Sequence, residues 1–350
     1  MVFRSDLNIF DCTVVVISGG KPRLDLTIQT LKSVNGQSLK PKEKIFINHG
    51  HTQKIMELLF DSEQIGDDWK IISFPINTYD PKNLDSLFKF TGPASLDAAT
   101  SNYIFYIADD DQISLDFFER MSNLINGELD VTMATGLAVS LDKNNSLIYP
   151  PAGSWSTREK YQRGIEVFRN IFKPDELYQP NPGHSYIIKR SILEEVRSTI
   201  FTFGFPDLTP LFQILPKGLF AFDKDAHMLR RNHIHQIHND WDKQNNNSNS
   251  YILQFKRMAE ININVMKNSK KVGKRDLALA KKYFKKQITR ACWFSIKDTV
   301  PDLGYSKTKL RTNLRLKLIY AIYMLRTPVY SLRLVIQPGK IKNIFKKYLK

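Results

Sequence analysis

The first 74 residues alternate between short β-forming runs and helical patterns, and this alternation constrains the fold more than any other feature. The β-forming runs cover residues 12–18, 44–48 and 69–74. Between the first two, apolar residues recur at helical spacing, and residues 52–60 form a second helical pattern. Parallel strands joined through helices produce this order, so we expect an α/β domain with helices flanking a mainly parallel sheet. The helical spacing is that of Leu24, Ile28, Leu31 and Val34.

A further β-forming run, residues 103–108, ends in three consecutive acids, Asp109, Asp110 and Asp111. The run is apolar throughout, which is typical of a buried strand, and open α/β sheets bind ligands at the carboxyl ends of their strands. In an extended chain, Asp109 and Asp111 would face one side and Asp110 the other, so that two carboxylates share a cation. The alternative is an acidic turn that caps a helix beginning near Ser114. The buried strand favours the ligand site.

The second half of the chain continues the pattern with a strand over residues 131–141 and another that follows Gly183 and His184. Asp207 stands ahead of an apolar, helical segment, and three histidines follow at His233, His235 and His238. The Asn/Ser-rich residues 244–250 then predict a mobile loop.

The net charge of +16 is concentrated at the end of the chain. Residues 251–350 carry 25 Lys and Arg against four acids, a net charge of +21, whereas residues 1–250 carry −5. The tail mixes these bases with Leu, Ile, Tyr and Phe, which suits a helix on an anionic membrane surface. A helical subdomain with a solvated basic face is the alternative, and the apolar content makes nucleic acid a poorer partner. We therefore divide the chain into residues 1–250 and a basic, mainly helical region over 251–350.

Cysteine usage and hydropathy bear on the compartment. The chain has two cysteines, Cys12 and Cys292, in no metal-ligand spacing, which fits a reducing environment. It shows neither a signal-peptide pattern nor an apolar run of membrane-spanning length. We expect a cytoplasmic protein that associates peripherally with the inner face of the cell membrane.

The order of these elements, with Asp109-x-Asp111 closing a buried strand, resembles the GT-A-type nucleotide-sugar glycosyltransferases, most closely family 2. The likeness covers about residues 12–240. It implies a Rossmann-like mixed sheet with a nucleotide-binding half over about 1–115 and an acceptor half over about 116–250. The chain departs from the family after its first two strands. There it has Ser18-Gly19-Gly20-Lys21 in place of Pro-Thr-Tyr-Asn, and Asn48-His49-Gly50-His51 in place of Asp-Asp-Gly-Ser.

The resemblance also implies roles for residues in the nucleotide-binding half. Asp109 would contact the ribose or donor sugar, and Asp111 together with Asp109 would bind Mn²⁺ or Mg²⁺ bridging the diphosphate. Asp110 would lie beside the nucleotide and matter least as a metal ligand. The nucleoside would be flanked by Ser18, Gly19 and His49. A hard cation with oxygen ligands suits the charge that builds on a departing diphosphate.

In the acceptor half, the resemblance implies that Asp207 is the general base of an inverting transfer, with a helix cap as the alternative. Gly183 and His184 would contact the acceptor. A third metal ligand would come from His235 or His238, although a histidine in such a run is also a common structural hydrogen-bonding residue. The implied substrates are a nucleotide-sugar donor and a glycan or lipid-linked saccharide acceptor, as in bacterial surface polysaccharide synthesis.

Two other functions remain open from the sequence. A nucleotidyltransferase acting on sugar phosphates also places a nucleotide and a metal at a sheet edge, and residues 19–23 partly match its glycine-rich phosphate loop. A non-catalytic GT-A-like binding module would keep the fold without the chemistry. The released product, pyrophosphate or nucleoside diphosphate, separates the first of these from a glycosyltransferase.

Overall fold

The computed structural model describes residues 9–19, 23–74, 85–128, 130–141, 147–148, 159–171, 186–201, 212–231 and 248–285. Several predicted site residues and most of the basic tail lie outside these ranges. They are Gly183, His184, Asp207, His235, His238 and residues 286–350.

Ten strands of the described chain form one mixed sheet, whose order is β3-β2-β1-β4-β9-β6-β10-β5. Strands β3, β2, β1 and β4 are mutually parallel, and β9 lies antiparallel between β4 and β6. Two short strands pair off this path, β7 with β6 and β8 with β10. The strands are β1 (Ile9–Gly19), β2 (Lys40–His49), β3 (Trp69–Phe74), β4 (Tyr103–Ala108), β5 (Gln112–Ile113), β6 (Val131–Leu141), β7 (Leu147–Ile148), β8 (Tyr161–Arg163), β9 (Tyr186–Lys189) and β10 (Leu219–Arg231).

Helices cover both faces of the sheet. They are α1 (Leu24–Asn35), α2 (Gln53–Asp61), α3 (Asp85–Ala98), α4 (Phe117–Asn126), α5 (Gly164–Ile171), α6 (Arg190–Ile200), α7 (Ser248–Asn268) and α8 (274–285). The predicted α/β class, with helices on a mainly parallel sheet, is therefore confirmed.

Two hydrophobic cores lie on opposite faces of the sheet, and alternate residues of β1 point into each. Val15 belongs to the core that α3, α5, α6, α7 and α8 cover, whereas Val14 and Val16 belong to the core that α1, α2 and α4 cover. All three valines are fully buried. Burying such a side chain contributes about 1.5 to 3 kcal/mol, so a strand buried on both sides is held strongly in register.

Helix α3 runs through Gly92 and Pro93, although a Gly-Pro pair commonly ends a helix. A Cβ atom at Gly92 would lie 2.2 Å from Cδ1 of Phe201, so the glycine lets α3 pack closely against the end of α6. This tertiary contact outweighs the local preference of Gly-Pro to end a helix.

The described part of the basic tail packs against the α/β domain. Phe284 of α8 lies with its ring centroid 4.8 Å from that of Phe212, and Arg169 of α5 donates two hydrogen bonds to Asp276, at 2.8 and 3.0 Å. The helical prediction for this segment is confirmed over α7 and α8. Within the described residues, no helix combines the length and the apolar content needed to cross a bilayer.

Candidate functional site

The register of the parallel strands gathers the predicted nucleotide-site residues at one edge. Gly19 is opposite His49, and Ile17 is opposite Ala108, so the residues that follow β1, β2 and β4 emerge side by side. A Cβ atom at Gly19 would approach both Cβ and the carbonyl oxygen of His49 to 2.8 Å. Glycine is therefore required for β1 and β2 to end this close together.

A tight turn follows β2. Gly50 has a φ of 87°, in the left-handed region that favours glycine, and His51 N donates to Oδ1 of Asn48 at 2.8 Å. The turn brings the partly exposed His51 imidazole back over the end of β1, whereas the His49 ring is buried edge-on against Phe74. A ligand at this edge would thus meet the side chain of His51 before that of His49.

The three acids lie in a turn, so the expected alternation of their side chains does not occur. Strand β4 ends at Ala108, and Asp111 N donates to the carbonyl oxygen of Ala108 at 3.2 Å. Asp109 and Asp110 consequently both contact the side chain of Arg23, whereas Asp111 contacts the end of β10. The acids do not cap α4 either, because its N-cap residue is Asp116.

Arg23, immediately before α1, bridges the first two acids. Its Nη2 donates to Oδ1 of Asp109 at 2.6 Å and its Nη1 donates to Oδ2 of Asp110 at 2.7 Å. The Arg23 side chain is only 8% exposed. The sequence reasoning did not identify this residue, although a basic residue in the loop after the first strand was the available signal.

Asp109 also accepts hydrogen bonds from two hydroxyl groups. Ser18 Oγ donates to Asp109 Oδ2 at 2.7 Å, and Thr27 Oγ1 donates to the same oxygen at 3.4 Å. Ser18 Oγ lies 2.7 Å from Nε2 of His51 as well. Because the single hydroxyl proton of Ser18 goes to Asp109, His51 donates through Nε2 and its Nδ1 is the acceptor nitrogen in the neutral ring. A chain of hydrogen bonds thus links His51, Ser18 and Asp109.

Asp111 faces the end of β10, an element that the sequence reasoning did not identify. Its Oδ1 accepts a long hydrogen bond, 3.4 Å, from the backbone N of Arg231. Thr30 of α1 donates to the carbonyl oxygen of Asp111 at 2.6 Å. The positive charges of Arg230 and Arg231 act on the same carboxylate.

Burial makes the charged forms of two of these acids costly. It raises the pKa of Asp109 to about 6, and the charge of Arg23 offsets this only in part. It raises the pKa of Asp111 to about 7, with the adjacent charge of Asp110 adding to the effect. A carboxylate desolvated in this way gains more from an arriving cation than an exposed one does. Burial also lowers the pKa of His51, and the charge of Arg23 lowers it further.

The donor atoms at this edge suit a hard divalent cation, but the three acids are not equally available to one. Both oxygens of Asp109 already accept hydrogen bonds from Arg23 and Ser18, whereas from the described residues the Asp111 carboxylate accepts only the long hydrogen bond of Arg231 N. Asp111 therefore fits the predicted ligand role best. Within the described residues, no group of three or more His, Cys, Asp or Glu side chains is arranged so that it could hold a metal ion by itself. The rest of a coordination sphere would have to come from a bound diphosphate, from water or from residues outside the described ranges.

The comparisons with known proteins bear on the fold. No protein-family model matches the chain, and a search of curated proteins finds no significant match. Among solved structures, residues 1–349 of TarS from S. aureus in complex with UDP-GlcNAc align with a TM-score of 0.58 at 10% identity, covering 93% of this chain and 84% of that one. The mannosyltransferase PcManGT from Pyrobaculum calidifontis, in complex with GDP-Man and Mn²⁺, aligns with a TM-score of 0.51 at 12% identity, covering 89% and 81%. The chain therefore has a GT-A-type fold, as its resemblance to the nucleotide-sugar glycosyltransferases implied.

Proposed function

We propose that this protein is a metal-dependent glycosyltransferase that moves a sugar from a nucleotide-sugar donor to a glycan or lipid-linked acceptor. The observation that carries the proposal is the cluster of Asp109, Asp110 and Asp111 at the carboxyl edge of a parallel sheet. That edge is where α/β folds bind nucleotides, and the charges of buried carboxylates favour a cation there. The structural neighbours were solved with UDP-GlcNAc or with GDP-Man and Mn²⁺, which supports this ligand class.

We assign roles to residues of the nucleotide-binding half from the family resemblance, and the contacts of these residues support the assignment. Asp111, assisted by Asp109, would bind Mn²⁺ or Mg²⁺, and the metal would supply positive charge to the diphosphate. Asp109 and Asp110 stay oriented by Arg23, while Ser18 and the backbone of Gly19 and His49 would line the nucleoside side of the site. The residues that we propose to contact the nucleotide without binding the metal are Ser18, Gly19, His49 and Asp110.

For the acceptor half, we propose Asp207 as the base that takes the proton of the acceptor hydroxyl in an inverting transfer. Gly183 and His184 would contact the acceptor, and His235 or His238 would complete the metal site. Phe201 and Phe212, which lie in the chain on either side of the segment that contains Asp207, both belong to the core that α3, α5, α6, α7 and α8 cover.

Because the proposed base acts on the acceptor and not on the nucleotide, Asp207→Asn should abolish transfer to the acceptor while nucleotide binding persists.

A nucleotide panel tests the proposal directly. UDP, GDP and their sugar conjugates are added with and without Mn²⁺, and the melting temperature is followed. A ligand at 100 times its Kd adds about 2.7 kcal/mol to the free energy of unfolding. We expect stabilisation that requires the metal, together with release of nucleoside diphosphate from the matching donor. Release of pyrophosphate would instead support a nucleotidyltransferase, and the absence of any nucleotide effect would support a binding module.

We further propose that the protein works on the cytoplasmic side of the membrane and binds its anionic surface through the basic face of the tail. Eight exposed bases in and before α8 support this docking. The one acid in the same stretch, Asp276, is buried against Arg169. Each base near an anionic leaflet contributes about 1 kcal/mol. The eight are Lys267, Lys270, Lys271, Lys274, Arg275, Lys281, Lys282 and Lys285.

Co-sedimentation with vesicles tests the membrane proposal. We expect binding to vesicles rich in phosphatidylserine, weak binding to phosphatidylcholine, and a loss in the Lys281→Glu, Lys282→Glu double variant. The matched control reverses two exposed bases of the α/β domain, Lys32 and Lys54. An equal loss in both double variants would mean that only net charge matters, and the basic face would then not be the docking surface.

A further inference from the structure

We propose that Arg23 is an anion-binding residue of the site: two ends of its guanidinium orient Asp109 and Asp110, and its Nε–H binds an oxygen of the donor diphosphate. This inference rests on the proposed function, because it assigns a protein contact to the leaving group of that reaction. It differs from the metal assignment, in which carboxylates bind the diphosphate only through a cation.

The donor groups of Arg23 carry the first step of the argument. A guanidinium has five N–H donors, and the contacts to Asp109 and Asp110 use one donor on each terminal nitrogen. The Nε atom is buried, and it has no hydrogen-bond partner among the described residues. Water reaches little of this side chain, since it is 8% exposed. A buried N–H without a partner is costly, so an oxygen that arrives with a ligand would be bound favourably at Nε.

The surrounding charges explain why an anion can bind beside three acids. Arg23 neutralises part of the charge of Asp109 and Asp110, and Arg230 and Arg231 act on Asp111 from the end of β10. Three guanidinium groups thus face three carboxylates at this edge of the sheet. A diphosphate that carries its own divalent cation would therefore not enter a strongly negative site.

The position of Arg23 in the chain supports the same conclusion. It is the N-cap residue of the twelve-residue helix α1, and its side chain makes no capping hydrogen bond. The partial positive charge of the helix N-terminus thus adds to that of the guanidinium. Ser18 of β1 and Thr27 of α1 both donate to Asp109, so the carboxylate that accepts from Arg23 Nη2 is itself held by two elements. A rigid guanidinium loses less entropy when it binds phosphate oxygens.

The test compares Arg23→Lys with a matched control, Arg197→Lys. Arg197 makes a similar two-pronged contact to Asp97, at 2.6 and 2.7 Å, but between the exposed surfaces of α6 and α3. Affinities are measured by calorimetry for UDP, GDP and inorganic pyrophosphate, and for UMP and GMP, all with Mg²⁺. We expect Arg23→Lys to weaken diphosphate and pyrophosphate binding about 10- to 100-fold, the effect of losing a charge-assisted hydrogen bond. Monophosphate binding should weaken much less, and the control should change neither.

Equal losses for monophosphates and diphosphates, or no loss at all, would overturn the inference and leave Arg23 with a purely structural role. If wild-type protein binds diphosphates through Arg23 but transfers no sugar, the proposed function fails while the inference stands.

A measurement on wild-type protein covers the case in which Arg23→Lys does not fold. In isotope-labelled protein, the Nε–H resonance of Arg23 is assigned by through-bond correlation to the backbone amide of Arg23. We expect this resonance to shift on addition of pyrophosphate with Mg²⁺ and to stay in place on addition of uridine or guanosine. A resonance that pyrophosphate leaves unmoved would contradict a contact at Nε.

Discussion

The carboxylates at the two ends of the sheet differ in how fully the protein satisfies them. At the amino end, Glu43 of β2 accepts hydrogen bonds from the hydroxyl groups of Thr13, Thr100 and Ser101 and from the backbone N–H groups of Thr100 and Ser101. At the carboxyl end, the buried side chain of Asp111 accepts one hydrogen bond from the described part of the chain, at 3.4 Å. The carboxylate at the amino end therefore joins strands, whereas the less satisfied carboxylate at the carboxyl end fits the ligand role that we propose for it.

The pKa values record this difference. Burial alone would raise the pKa of Glu43, but hydrogen bonds from Thr100, Thr13 and Ser101 outweigh it and lower the value to about 2. At Asp111, burial dominates and raises the pKa to about 7. A carboxylate that the fold satisfies stabilises the fold, whereas a desolvated carboxylate is costly until a cation arrives.

The largest expected effect comes from removing the charge at the carboxyl end. Asp111→Asn should lower donor turnover about 100- to 1000-fold, the usual loss when a group that stabilises transition-state charge is removed. The melting temperature should be unchanged or higher, because the substitution removes a desolvated charge. Release of nucleoside diphosphate and a thermal melt measure the two quantities. Asp97→Asn, at an exposed ion pair, is the control, and full turnover in Asp111→Asn would refute the metal role.

The reverse result is expected at the amino end. Glu43→Gln should lower the free energy of unfolding by about 2 kcal/mol, because the amide weakens its charge-assisted hydrogen bonds and presents donors to other donors. Nucleotide affinity should not change. Urea unfolding measures the loss, with Glu57→Gln at an exposed position of α2 as the control, where about 0.5 kcal/mol or less is expected. A loss no larger than that of the control would mean that the Glu43 cluster does not stabilise the sheet.

Changing the pH should affect the two ends in opposite directions. Glu43 has its folded pKa below its ordinary value of 4.5, so its contribution is present above pH 4.5 and is lost as the pH falls toward 2. Asp109 and Asp111 have pKa values of about 6 and about 7 in the folded protein, above their ordinary value of 3.8. From 3.8 up to these values, the folded protein therefore binds more protons than the unfolded chain does. Without metal, the free energy of unfolding should therefore decline as the pH rises from about 4 to about 7.

Urea unfolding at pH 5 and pH 8 checks this dependence. Mn²⁺ should stabilise the protein more at pH 8, because protons compete with the metal for the carboxylates. Asp111→Asn should flatten the decline. An unchanged slope in that variant would show that other groups control the pH dependence.

The smallest expected effect concerns the hydrogen bonds that orient Asp109. Ser18→Ala removes one neutral donor to its Oδ2 and the contact to His51, a loss of about 1 kcal/mol and thus about fivefold in nucleoside diphosphate affinity. Calorimetric titration measures the change, and Ser38→Ala, at an exposed contact to Glu119, serves as the control. An affinity equal to that of wild type would show that Arg23 alone suffices to orient Asp109.

Several strands in both halves of the α/β domain could be predicted from the local sequence pattern. The predicted strands over residues 69–74, 103–108 and 131–141 have these bounds in the structure, because each is a β-forming run that ends at turn-forming or polar residues. Strand β10 was missed because its polar middle, Asp223 to Asp225, interrupts the apolar alternation. The pairing of β10 with β6, which shifts register between Asp223 and His227, accommodates that interruption.

The sequence alone determined that three acids follow a buried strand, since apolar periodicity and a run of charges are local properties. It also determined the class of fold that such a strand order builds. Only the tertiary structure decided which partner each acid contacts. Residues 23, 109 and 231 are far apart in the chain, and their contacts exist because β1, β4 and β10 run in the same direction within the sheet and end at one edge. The turn after Ala108 then directs Asp109 and Asp110 to Arg23 and leaves Asp111 facing the end of β10, a consequence of packing that no local pattern encodes.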